Sequence, residues 1–144
     1  MIKTEAAYRK AISKLKEDLA FIQQEKDRFQ ALGLNDEQIE RAIEPQIAFH
    51  EQMKEEVAYY ERIKRGEFAP IWNLSEIGRT LIAYRIYIGL SQQELAARLN
   101  ISETQVSRDE RNEYYGATTE RIQAVMQAMG MRVVSKVELA PLGT

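Results

Sequence analysis

The chain has 144 residues, of which 44% are hydrophobic and 29% charged, with one histidine and no cysteine. That length holds one domain, or one small domain with an appendage; the missing thiols exclude disulfides and thiolate metal sites and fit a reducing cytosol. The formal net charge is −2, with 12 Lys+Arg against 13 Asp+Glu in residues 1–66 and 8 against 9 in residues 67–144, so no global positive field exists to drive indiscriminate nucleic-acid binding.

No apolar run approaches the roughly 18 residues that a membrane span needs. The opening "MIKTEAAYRKAISKLKEDLAF" mixes acids and bases and lacks the apolar centre of a secretory signal. A cytoplasmic protein with no membrane partner is expected.

Residues 4–65 are rich in Lys, Glu, Gln and Ala and carry helical periodicity. Tyr8, Ile12, Leu15, Leu19, Ile22 and Phe29 recur at spacings of three, four and seven, with Lys26 in the skipped position, which predicts a coiled-coil-like seam. Gly33 suits a left-handed helix end, and Asn35 or Asp36 a new cap. A second stripe joins Ile39, Ile43, Ile47, His50, Met53, Val57 and Tyr60, with Pro45 inside it. Proline removes a donor and crowds the preceding turn, so a kink or restart is expected near Glu44. The two segments read as a long antiparallel hairpin with little core of its own, so dimerisation or docking on the second block is expected.

Gly66 and Pro70 punctuate the next stretch, where Trp72 is placed to anchor the linker and Ser75 to cap a helix. Short helices are predicted over about 76–88, 92–99, 103–111 and 119–129, broken near Gly89, Asn100, Gly116 and Gly130. After Gly130 the period becomes two in "RVVSKVEL", with Val133, Ser135, Val137 and Leu139 on one side. That alternation predicts a short strand, and a second subunit is its natural pairing partner.

The stretch "LSQQELAARLNISETQVSR", residues 90–108, is the most informative. Ser91 and Glu94 have capping-box spacing, as do Ser102 and Gln105. Asn100 sits where the turn between two helices calls for positive φ, which Asn tolerates. Leu95, Ala96, Leu99, Ile101 and Val106 supply the inward face. Glu103, Thr104, Ser107 and Arg108 remain on the other face of the second helix, a composition suited to base edges and phosphates in a major groove about one helix wide.

"GLSQQELAARLNISETQVSR" resembles the helix-turn-helix of the XRE-type family, which includes the Cro and lambda-repressor proteins and many bacterial antitoxins. The likeness covers about residues 76–130. It implies that Gln92 contacts phosphate, that Ser102, Glu103, Thr104, Ser107 and Arg108 form the DNA face, and that Arg111 and Asn112 lie near the DNA backbone. It also implies a structural ion pair between Arg85 and Glu110. Two positions depart from the family pattern: Asp109 stands where an apolar residue is usual, and "RNEYYG" replaces the usual Asn-Gly, with Tyr114 or Tyr115 expected to fill the missing core volume. The expected fold is all-α: a helical hairpin over residues 1–66, a linker over 67–74, a lambda-repressor-like helix-turn-helix domain over 75–130, and a short C-terminal β-strand with its tail over 131–144.

His50 lies on an apolar face with no second histidine or cysteine to join it, so it reads as a core or interface residue and not a ligand. No Gly-rich phosphate loop, nucleophile elbow or triad spacing is present, and neither an enzyme nor a cofactor is expected. The resemblance implies a sequence-specific transcriptional regulator that binds a palindromic operator on double-stranded DNA as a homodimer. Two alternatives stay open: an antitoxin that binds a toxin protein and regulates its own operon, and a helical adaptor that binds protein and no DNA.

Overall fold

Regular structure in the computed structural model, which describes residues 1–140, is helical throughout. The chain divides into two units, Met1–Pro70 and a second beginning at Ile71. No helix among the described residues is long and apolar enough to cross a membrane.

The first unit is an antiparallel hairpin of α1 (Glu5–Ala31) and α2 (Asp36–Lys64). Thr4 starts α1: its hydroxyl accepts the Ala7 N–H at 3.1 Å, satisfying one of the donors that a helix start leaves unpaired. Gly33, at φ 89°, turns the chain. Asn35 then opens α2 with a full capping box, its side chain accepting from Gln38 N at 2.9 Å while Gln38 Oε1 accepts from Asn35 N at 3.0 Å. α2 runs unbroken through Pro45. The expected restart near Glu44 does not occur: Pro45 lies on the exposed side of α2, where water can reach the Arg41 carbonyl that its missing N–H leaves unpaired, and the seam holds the helix on both sides of it.

Burial defines the seam more sharply than apolar spacing does. On α1 the less exposed positions include Tyr8, Ala11, Ile12, Leu15, Asp18, Ile22, Glu25, Lys26 and Phe29; on α2 they include Ile39, Ile43, Gln46, His50, Met53, Val57, Tyr60 and Ile63. Leu19 is 58% exposed and Ile47 39%, so the positions next to them, Asp18 and Gln46, face inward instead. Ile22, Ile39 and Ile43 form a core near the turn, with Phe29 and Leu34 against it. At the open end Tyr8 stacks on Tyr60 with centroids 4.9 Å apart, donates to Glu61 at 2.8 Å, and Tyr60 donates to Glu5 at 3.1 Å. The middle is polar: His50 is buried, and its Nδ1 and Gln46 Oε1 have no hydrogen-bond partner among the described residues.

In the second unit a 3-10 turn, Leu74–Glu76, leads into α3 (Ile77–Tyr87), α4 (Gln92–Leu99), α5 (Glu103–Arg111) and α6 (Thr119–Met129). Each α-helix lies within a residue of its sequence-based bounds. Asn73, and not Ser75, caps the start: its Oδ1 accepts from Ser75 N at 3.0 Å and Ser75 Oγ at 2.9 Å. Trp72 is 82% exposed, so the expected anchoring of the linker by its ring is not seen among the described residues. Leu81, Ile82, Ile86, Leu90, Leu95, Ala96, Val106, Val125 and Met129 make the core.

The expected C-terminal strand is absent. Residues 131–140 have no regular structure, and Val137 and Leu139 are 93% and 98% exposed. An extended segment becomes a strand only when a neighbour pairs its N–H and C=O groups, and no described segment does so. Residues 141–144 of the expected tail lie outside the described residues.

Candidate nucleic-acid interface

The α4–α5 corner is built from three local devices. Ser91 Oγ accepts from Glu94 N at 3.0 Å while Glu94 Oε1 accepts from Ser91 N at 3.2 Å. Hydrogen bonding to its carboxyl from the Ser91 backbone N–H, and from the Ser91 side chain, holds Glu94 below its ordinary range, since it favours the charged form. Asn100 ends α4 at φ 55°, ψ 43°, and Ile101 N donates back to Ala96 O at 3.0 Å, the closure typical of a left-handed helix end. Ser102 then starts α5 by accepting from Gln105 N at 3.2 Å. The second half of that box does not form, because Gln105 Nε2 donates to Asp109 Oδ1 at 3.0 Å.

α5 presents two faces. Val106 and Glu110 are buried; Ser102, Glu103, Thr104, Arg108, Arg111 and Asn112 are exposed, and Ser107 is half-buried. A single side of a nine-residue helix therefore carries hydroxyls, one carboxylate and two guanidinium groups, all within reach of an approaching polar ligand.

Behind that face lies a buried ionic cluster. Glu110 is 1% exposed and Arg85 5%. Arg85 Nε donates to Glu110 Oε2 at 2.5 Å and Nη2 to Oε1 at 2.7 Å, while Nη1 donates to the Leu90 carbonyl at 2.8 Å. A planar guanidinium meeting a carboxylate in this forked arrangement is among the stronger neutralising contacts available to a buried charge. It ties α3 to the end of α5. Gln92, at the start of α4, adds Nε2 to Glu110 Oε1 at 2.9 Å, so one of its amide hydrogens is committed to this cluster.

A second polar cluster was not legible from the sequence. Asp109 Oδ2 accepts from Arg121 Nε at 3.1 Å and also from Arg121 Nη2, while Oδ1 holds Gln105. Where the family pattern has an apolar side chain, this chain has a half-buried ion pair between α5 and α6. Residues twelve positions apart in sequence show no helical periodicity that could have linked them. Gly78 was missed as well: a Cβ there would lie 1.8 Å from the Glu113 carbonyl oxygen. The loop after α5 thus rests directly on α3. Its only trace in the sequence is a glycine inside a helix, which is unfavourable unless something approaches it closely.

The loop itself places Glu113 and Tyr114 at φ 51° and 56°. Tyr114 is 6% exposed and Tyr115 82%, so Tyr114 supplies the core volume that Asp109 does not. Burial, with the Glu110 and Asp109 carboxylates adding to it, holds the Tyr114 hydroxyl above the ordinary tyrosine range.

Two short helices at a tight corner, with the second offering an exposed polar face, define a helix-turn-helix. Residues 81–134 match the helix-turn-helix family model, and the segment is an XRE-type helix-turn-helix, a DNA-binding regulatory domain. No curated protein and no solved structure matches the chain.

Proposed function

We propose that the protein is a sequence-specific transcriptional regulator that binds a palindromic operator as a homodimer, with α5 in the major groove. The exposed polar face of α5, backed by the buried Arg85–Glu110 pair, is the observation that carries this reading. Glu103, Thr104, Ser107 and Arg108 read base edges; Ser102, Arg111, Asn112 and the free amide hydrogen of Gln92 meet phosphates. A helix of nine residues is roughly 13 Å long and spans only about four base pairs. Two copies on successive turns, roughly 34 Å apart, double that reach.

The test is Arg108→Ala, measured by fluorescence anisotropy on a duplex selected from a random pool and on unselected duplex. A base contact contributes about 1–3 kcal/mol, so the variant loses roughly 5- to 150-fold on the selected duplex and far less on the unselected one. Equal losses on both would refute base readout by Arg108.

A second reading, an antitoxin that also regulates its own operon, draws support from the hairpin. Phe21 and Phe49 are about half exposed there and Leu19 more so, apolar side chains that a toxin surface would cover. The adjacent gene should then be toxic when expressed alone and tolerated with this chain.

A further inference from the structure

We propose that Asp109 restrains Arg121 from the DNA backbone and thereby sets the sequence-independent part of the protein's affinity. This inference rests on the DNA-binding reading above.

Three cations lie on α5 and the first turn of α6: Arg108, Arg111 and Arg121. Arg108 and Arg111 are exposed. Arg121 is held on Asp109 through both Nε and Nη2, with side-chain exposures of 35% for Arg121 and 18% for Asp109. The pair sits at the border of the exposed arc of α5. At 100° per residue, Gln105 and Asp109 follow Arg108 and Asn112 around the helix, and both are half-buried.

A helix about 10–12 Å across fills a major groove about 12 Å wide. Side chains at the edge of its exposed arc therefore stand beside the phosphate walls. A free arginine at this edge would release a counterion on binding; an arginine already neutralised by an internal carboxylate releases none. Gln105 strengthens the restraint from the other side, since its amide fixes the Asp109 carboxylate at 3.0 Å. With Arg121 neutralised, a larger share of the affinity falls to the base-reading face.

The experiment measures affinity for a random-sequence duplex against salt concentration, for the full chain and three variants. Asp109→Asn keeps the shape and removes the charge. It should steepen the slope of log K against log salt by about 0.9 per bound chain and tighten binding at 50 mM salt on the order of tenfold. Asp109→Asn with Arg121→Gln should return the slope to that of the parent. Arg121→Gln alone should leave the parent slope unchanged, and this variant decides the matter even if Asp109→Asn fails to fold. An Arg121→Gln slope shallower by about 0.9 would overturn the proposal, because Arg121 would already be on phosphate. So would an unsteepened Asp109→Asn in a folded protein, or a double variant that stays steep. A parent chain with no DNA affinity at any salt sinks the DNA-binding reading itself, an outcome distinct from a parent that binds and variants that do not differ from it.

Discussion

Glu110→Ala is the sharpest perturbation of the helix-turn-helix unit. The residue is 1% exposed and accepts three hydrogen bonds, from Arg85 Nε at 2.5 Å, Arg85 Nη2 at 2.7 Å and Gln92 Nε2 at 2.9 Å. Truncation leaves a guanidinium that is 5% exposed with the Leu90 carbonyl as its remaining partner. The favourable worth of the intact pair is small, since desolvation offsets most of the attraction, but stranding one buried charge costs about 3–5 kcal/mol. Against a total stability of about 5–15 kcal/mol that is a large fraction. Removing both partners together, as Arg85→Met with Glu110→Leu, should cost well under half as much, because no charge is then stranded. Hydrogen exchange read by mass spectrometry separates the two units. Amides of α3 to α6 should lose about two to four orders of magnitude of protection in Glu110→Ala, with the hairpin amides as internal reference. A loss under about 1 kcal/mol, or a double variant as unstable as the single one, would refute the stranded-charge reasoning.

Gly78→Ala would force a Cβ to within 1.8 Å of the Glu113 carbonyl oxygen and 2.6 Å of its carbon; a backbone shift of this kind costs about 1–3 kcal/mol. The melting temperature of the helix-turn-helix unit should fall by roughly 5–20 °C, and an unchanged melt would mean the loop retreats freely. Tyr114 makes a prediction in alkali. Its raised pKa means that the folded state favours the neutral phenol, so its contribution is complete below the ordinary tyrosine value of about 10 and is lost as pH rises above it. Absorbance at 295 nm should show this tyrosine ionising only with the loss of helical signal, and Tyr114→Phe should move base-induced unfolding to higher pH. Ionisation at an ordinary pH in a still-folded chain would contradict its burial.

The helix-turn-helix was legible because its determinants are local. Ser91, Glu94, Asn100 and Ser102 act on backbone groups within a few residues of themselves, and the apolar spacing of Leu95, Ala96 and Val106 selects the buried side. The same locality explains the agreement of α3 to α6 with their expected bounds. The exposed side chains of α5, the face proposed to meet DNA, follow as the remainder of the helix once Val106 and Glu110 are turned inward.

What the tertiary structure alone decided are the choices between neighbouring positions and between competing partners. Leu19 and Ile47 are more apolar than Asp18 and Gln46, yet the latter pair is the less exposed, because the rigid heptad geometry of two packed helices selects positions and not hydrophobicity. Gln105 had the spacing to complete a capping box, but its side chain turns down the helix instead, where Nε2 donates to the Asp109 carboxylate, itself held by Arg121. The alternation after Gly130 specified a side-chain pattern without specifying a neighbour, and a strand without a neighbour has no hydrogen-bond ladder. Periodicity and caps are properties of a segment. Burial, ion pairing and strand pairing belong to two segments at once, and the second segment is chosen only when the chain folds.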